Sequence, residues 1–513
     1  MPAMPRSRTK SFIAEFPLVV RPFDEDALVA RLEAGRRICN AVLGEALRRL
    51  RLMRESKAWQ QAHTLKGQAR SSAFQRCCKD FGFNEYALQA FATRCKNAAH
   101  FEDRLGANET QKLATRAFDA AKEYSLGKHG RPRFKSQGRP LHSIEGKTNA
   151  TGLRWKRDVG AVVWGDLVLV AKLPPAGKDQ WLVRALECPT KYVRLVWRIV
   201  GGRRRWFAQL VQKGNAPRKY ETVPGAVVGL DVGPSTVAVV ADAAAALVPL
   251  APEVEQPWAK MRRIQRAMDR SRRATNPDCF NADGTFKRGA KIAVRSKAYE
   301  ALRSQLQETE RMLAATRKCS HGRLANQILG LGNIAQTELL SYRAFQGAFG
   351  RSTKVRAAGM FIAMLSRKAE NAGGAVIELN TRKLRLSQYD HVSRTHEKKS
   401  LSQRWHALGD GSGFVQRDIY SAFLAQQCAE NELHPSRVDE AWATAKPLLG
   451  RAGWSREECA SVASLLATAP ALPAPERIAR QRRQAIGHAR DAVAARREPV
   501  SPEGDSVFRT PWL

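Results

Sequence analysis

Three acids in this chain sit where a carboxylate is costly, and together they can do one kind of chemistry. Asp231 lies inside AVVGLDVGPSTVAVV, residues 226–240. There Ala226, Val227, Val228, Leu230 and Val232 read as an apolar strand, Pro234 and Ser235 as a turn, and Thr236 to Val240 as a second strand. Taken alone, Asp231 reads equally as a structural aspartate satisfied by hydrogen bonds. GGAVIELN, residues 373–380, repeats the setting, with Glu378 near the end of an apolar strand after a Gly-Gly breaker. VQRDIYSAFLAQQC, residues 415–428, puts Asp418 at the head of an amphipathic helix carrying Ile419, Ala422, Phe423 and Gln426. Alone, that acid suits the positive end of the helix dipole. Held close together, the three raise one another's pKa unless divalent cations neutralise them. Two such cations can activate a water and stabilise the leaving oxygen of a phosphodiester. The expectation is a metal-dependent nuclease core in which Asp231, Glu378 and Asp418 hold two Mg²⁺ ions, with Mn²⁺ able to substitute.

The elements that must position these acids follow from the chain's periodicity. Phe12, Ala14, Phe16 and Leu18 alternate and predict an opening strand. Asp24 reads as the N-cap of a long helix with Leu28, Leu32, Ile38, Val42, Leu43, Leu47 and Leu50 on one face. Helical patterns continue to Tyr124, then GKHGRPRFKSQGRP, residues 127–140, breaks them. From there to about residue 222 hairpins dominate, around the turns Gly165-Asp166 and Gly201-Gly202. Basic residues and tryptophans interleave in these strands, as in Arg205 and Trp206, which predicts an oligonucleotide-binding β-barrel. A barrel with its tryptophans in the core and a solvated basic face is the alternative. After the Asp231 hairpin, Arg262, Arg266, Arg270 and Arg273 recur on one helix face without matching acids, a pattern suited to tracking phosphates.

Composition narrows the partners. With 86 Lys plus Arg against 48 Asp plus Glu, the net charge is +38 and the sequence pI about 10.5, spread along the chain. Such a field attracts polyanions, so nucleic acid is the expected partner. At 513 residues, with 43% hydrophobic residues, the chain has material for several packed cores. The nine cysteines are scattered, with no C-x-x-C pair, and predict a reducing, cytoplasmic setting. No apolar run is long enough to span a bilayer, and no membrane partner is expected.

The motifs in order resemble those of TnpB, the transposon-encoded RNA-guided nuclease related to type V CRISPR effectors. The resemblance covers roughly residues 10–425. GLDVGPST resembles the family's first RuvC motif, Glu378 is aligned with the glutamate of the second, and RDIYSA resembles the third, with Tyr420 where the family usually has asparagine. GRPRFKSQ, RRWFAQL and DGTFKRG resemble softer landmarks of the same family. The resemblance implies a multidomain α+β protein: an RNase H-like (RuvC) core, a β-barrel wedge domain and an α-helical recognition domain. It divides the chain into a first wedge strand at 1–24, a helical recognition domain at 25–130 and the wedge at 131–222. The RuvC domain then spans 223–425, with a helical insertion at 255–330. Residues 426–513 read as a helical extension, including a basic helix at 477–497, with a disordered tail. The implied partners are a guide RNA and a target double-stranded DNA carrying a short flanking motif. Nucleic-acid contacts are expected from Arg131, Arg133, Lys135, Arg205, Trp206, Arg262, Arg266, Arg270 and Arg273.

One departure stands out. Where the family carries a zinc ribbon with two C-x-x-C pairs, residues 387–417 contain no cysteine. Asp390, His391, His396 and His406 remain, but their spacing matches no tetrahedral zinc pattern. A zinc-free lobe is therefore expected. Its divergence raises a second possibility, an RNA-guided protein that blocks DNA without efficient cutting. A guide-independent transposase or junction resolvase on the same core is a third.

Overall fold

The computed structural model describes residues 10–453, apart from positions 176, 293, 401, 402 and 412. The basic helix expected at 477–497 and the tail after it lie outside the described residues. The chain opens with β1 (Ser11–Val19), whose alternate residues Ala14, Phe16 and Leu18 are buried. Helix α1 (Pro22–Glu55) follows, but Asp24 is not its N-cap. Arg21 takes that position, because Pro22 arrives with its φ already fixed for a first helical residue. Asp24 instead turns back from the first turn to accept from the Arg21 backbone N–H at 3.3 Å and from its Nε at 2.8 Å. Helices α2 (Lys57–Thr64), α3 (Gly67–Asp80), α4 (Glu85–Ala98) and α5 (Ala107–Ser125) follow, with α4 and α5 packed on α1.

Next come β2 (Ser143–Glu145), β3 (Arg154–Lys156), β4 (Ala161–Trp164) and β5 (Leu167–Ala171). Helix α6 (Gln180–Glu187), β6 (Thr190–Val200) and β7 (Arg203–Lys213) complete this part. The sheet runs in the order β2-β6-β7-β1-β5-β4-β3 and does not close on itself. It is a half-barrel, an open form of the β-barrel expected. Strand β1 bridges its two halves, pairing with β7 over residues 11–17 and with β5 only at Leu18 and Val19. Period-2 alternation along β7 sends Trp206, Ala208 and Leu210 inward and leaves Arg205 exposed. Trp206 is 3% exposed, so its ring belongs to the core and is not open to stack on a base, contrary to expectation. Residues of α1, α4 and α5 share that core with the sheet.

A second sheet carries the candidate site. Its strands are β8 (Val227–Val232), β9 (Thr236–Ala241), β10 (Ala244–Pro249), β11 (Ile334–Glu338) and β12 (Ala375–Leu379), in the order β10-β9-β8-β11-β12. The first three meander antiparallel, and β11 and β12 run parallel to β8. Between β10 and β11 lie α7 (Trp258–Thr275) and α8 (Lys297–Leu331). Between β11 and β12 lie α9 (Tyr342–Ala348), α10 (Gly350–Arg356) and α11 (Ala358–Asn371). The short α12 (Thr381–Leu384) leads to a lobe of two hairpins, β13 (Tyr389–Asp390) with β14 (Thr395–His396) and β15 (Trp405–Ala407) with β16 (Phe414–Gln416). Helices α13 (Arg417–Gln426) and α14 (Pro435–Gly453) close the described chain. Both sheet faces are covered. Val228, Leu230 and Val232 pack with residues of α8 and α11, while Ala238, Val240 and Ala245 pack with α13 and α14.

Candidate active site

Strand register decides which acids can meet. Leu230 of β8, Thr337 of β11 and Glu378 of β12 are partners in one row across the parallel strands. Side chains in one row share a face, and the next row points to the other. Leu230 packs against α8 and α11, so Glu378 belongs to that side and does not face the same way as Asp231. It is exposed on the edge strand and lies close enough to Tyr342 to help burial push that phenol up to about 12. The expected grouping of Glu378 with Asp231 is therefore not what the fold produces.

The row beyond holds Asp231, Glu338 and Leu379, with Leu379 packed among residues of α13 and α14. Glu338 is the acid that sequence reasoning missed. Its strand reads IAQTE, and the buried Gln336 and Thr337 hide it from a hydropathy search that GGAVIELN satisfies easily. A usable signal was the breaker Gly332 followed by a short run, Ile334 to Glu338, ending in an acid.

Helix α13 brings the third carboxylate. A Cβ on Gly229 would lie 1.9 Å from the Ala422 carbonyl oxygen, so α13 crosses β8 in direct backbone contact at that point. Gly229 and Asp231 share one strand face, and Asp418 stands one helical turn before Ala422. Gln426, a turn later, donates from Nε2 to the Val227 carbonyl at 3.3 Å and to Asp242 Oδ1 at 2.6 Å. The helix is thus pinned along its length with Asp418 toward Asp231.

The electrostatics reflect that meeting. Burial holds the Asp231 carboxyl well above the usual carboxylate range, with the Asp418 and Glu338 charges adding to the rise and Arg417 opposing it. Burial also raises Glu338, against a hydrogen bond from the Leu386 backbone. Asp418 is half-buried, with Gln416 Nε2 3.3 Å from Oδ2, Arg417 Nε 3.5 Å from Oδ1 and Arg404 Nη1 3.6 Å from Oδ2. Glu338 Oε1 is buried without a hydrogen-bond partner. An orphaned carboxylate oxygen beside a desolvated aspartate is the donor chemistry that a hard divalent cation satisfies. Among the described residues, no three His, Cys, Asp or Glu side chains converge closely enough to hold a metal unaided. Mg²⁺ is commonly bound by only one or two carboxylates together with substrate phosphates, so this donor set fits it.

The basic residues expected to meet nucleic acid are distributed over the surface. Arg131, Arg133 and Lys135 are exposed, and Arg36 and Asn40 of α1 tie the Lys135 carbonyl at 2.8 Å each. Arg262, Arg266, Arg270 and Arg273 are exposed along α7, while Met261 and Ile264 face inward. No helix among the described residues is long and apolar enough to cross a membrane.

No protein-family model matches the chain, and no curated protein does. Among solved structures it is similar to the Cas12f1–sgRNA–target DNA complex, with 12% identity and a TM-score of 0.39, over 81% of this chain and 98% of that one. It is also similar to a CRISPR-Cas12f ternary complex, with 11% identity and a TM-score of 0.27, over 78% and 82% of the two chains.

Proposed function

We propose that this chain is an RNA-guided nuclease that hydrolyses DNA phosphodiesters at a carboxylate cluster made of Asp231, Glu338 and Asp418. The observation that carries the reading is the approach of Asp418 to the row holding Asp231 and Glu338, where burial and mutual repulsion lift the Asp231 pKa. Strand order supports it too. A three-stranded meander extended by two strands parallel to the first is the arrangement expected of the RNase H-like core. One or two of these acids, together with the DNA phosphate, would hold Mg²⁺, which when bound neutralises charge at the attacking and leaving oxygens. Arg404, largely exposed beside Asp418, would offer its guanidinium to an incoming phosphate. The net charge of +38 and the α7 arginine row would hold guide RNA and DNA by phosphate contacts.

The test is cleavage of plasmid DNA by the protein purified with its RNA, with and without Mg²⁺. Asp231→Ala is expected to abolish cutting and leave RNA binding intact. Equal loss of both would count against the proposal. A second reading, guided binding without cutting, draws on the lack of three converging ligands among the described residues. Stable DNA binding with no nicking in Mg²⁺ or Mn²⁺ would favour it.

A further inference from the structure

Four buried polar side chains outside the acid cluster are tied together between the small lobe and α13. Asp390, His391, His406 and Tyr420 are 6%, 3%, 2% and 1% exposed. Asp390 Oδ1 accepts from the backbone N–H groups of Val392 and Ser393, each at 2.8 Å. Its Oδ2 accepts from the Gly409 N–H at 3.1 Å and pairs with His406 Nε2 at 2.8 Å. Lys399 Nζ reaches the other ring nitrogen of His406. The Tyr420 hydroxyl accepts from the His391 backbone N–H at 3.0 Å and pairs with His391 Nδ1 at 2.7 Å. The His406 ring stacks on Tyr420, with centroids 4.7 Å apart and planes 20° from parallel, and Trp442 of α14 closes over His391 at 4.3 Å.

Buried polar networks specify one arrangement when every member is satisfied. Here the lobe's hairpins pair over only two and three residues, and the network adds a directional tie to the apolar seat that Leu386, Tyr389, Leu408 and Val415 make on α13 and α14. The network also reaches the acid cluster by two routes. Tyr420 lies two positions after Asp418 in α13. Gln416, the last residue of the hairpin strand paired against His406, caps α13 by accepting from the Ile419 N–H at 2.7 Å, and its Nε2 lies 3.3 Å from Asp418 Oδ2.

We propose that Asp390, His391, His406 and Tyr420 form a metal-free staple that locks the lobe onto the first turn of α13, and that they are positioning residues for Asp418. The docking of the lobe stands by itself. Only the consequence for cutting rests on the nuclease reading. Amide hydrogen exchange on the full-length protein tests the first part, comparing wild type, Tyr420→Phe and Asp390→Asn over residues 386–418. Loss of the hydroxyl is expected to speed exchange around His391 and the start of α13 about fivefold or more, leaving β1 to β7 unchanged. A zinc chelator is expected to leave wild-type exchange unchanged. Asp390→Asn carries the same comparison if Tyr420→Phe does not fold. Wild-type exchange in both variants, or loosening of the wild type by the chelator, overturns the staple. For the second part, Tyr420→Phe is expected to lower kcat for DNA cleavage with KM unchanged. Faster exchange with unchanged kcat overturns the positioning role. If the wild type cuts no DNA, the nuclease reading falls while the exchange result still decides the staple.

Discussion

Asp231 and Glu338 leave neighbouring parallel strands one residue beyond the partners Leu230 and Thr337, and so emerge side by side on the α13 face of the sheet. Glu378, one strand further on, is partnered with Thr337 itself and emerges on the other face. A displacement of one residue in register thus separates a carboxylate that can join Asp231 from one that cannot. Glu338→Ala is expected to reduce DNA cleavage by about a hundredfold or more, as loss of a group acting at developing charge does. Glu378→Ala should leave the rate unchanged within about twofold. Plasmid cleavage with the copurified RNA separates them, and the reverse order of effects would remove Glu338 from the site.

Asp231 also makes the site costly in the absence of a cation. Its folded pKa is raised, so its contribution to stability is full below the ordinary 3.8 and is lost as pH rises toward the folded value. Asn at this position does not titrate. Asp231→Asn is therefore expected to raise Tm at neutral pH without divalent cations, by about 2–4 °C, with the gain shrinking toward acid pH. Mg²⁺ should raise the wild-type Tm and leave that of the variant unchanged. Thermal melts with EDTA and with Mg²⁺ across pH check both signs.

Gly229 is required for a different reason. Any Cβ there would overlap the Ala422 carbonyl, and neither strand nor helix backbone can yield without moving Asp418. Gly229→Ala is expected to cost about 1–3 kcal/mol from overpacking and to abolish cutting while the half-barrel stays folded. Thermal denaturation followed alongside RNA binding would show a weakened second sheet with RNA still held.

Much of this architecture is legible in the sequence, and the failures have physical causes. The hairpin around Asp231 and the helix headed by Asp418 follow from apolar runs with clear breakers, so their bounds in the structure lie within a residue or two of expectation. Glu338 escaped because Gln336 and Thr337 are polar residues buried by tertiary packing, which local hydropathy does not register. Basic neighbours make Trp206 a candidate for stacking on a base, whereas alternation along β7 turns it inward, the alternative in which the tryptophans fill the core. Hairpin signals predict a barrel by fixing pairs of strands, but they say nothing about whether the two edges meet, and here they do not.

The α7 arginine row gives a quantitative test of how nucleic acid is held. Each phosphate contact contributes about 0.7–0.9 to the slope of log K against log salt. Replacing Arg262, Arg266, Arg270 and Arg273 with Gln is expected to lower that slope by about 3 and to weaken RNA binding uniformly across sequences. Filter binding at several salt concentrations measures it. An unchanged slope would mean that this face is only solvated.

Lys368 of α11 is a half-buried cation on the side of the sheet away from the acids. Burial holds its ammonium down at about 8, with Lys219 and Arg367 pushing the same way, and its Nζ rests on Asn326 Oδ1 beside the Tyr220 ring. Between pH 8 and the ordinary 10.5 the unfolded chain binds a proton that the folded chain has released, so this group adds stability as pH climbs through that window. Below it the charge is held at a cost. Lys368→Met is therefore expected to raise Tm at pH 7, and the gain should shrink as pH is taken from 8 toward 10.5. Melts of both proteins over that range decide the matter. A gain that stays constant with pH would show that the lysine is charged and adequately solvated where it lies.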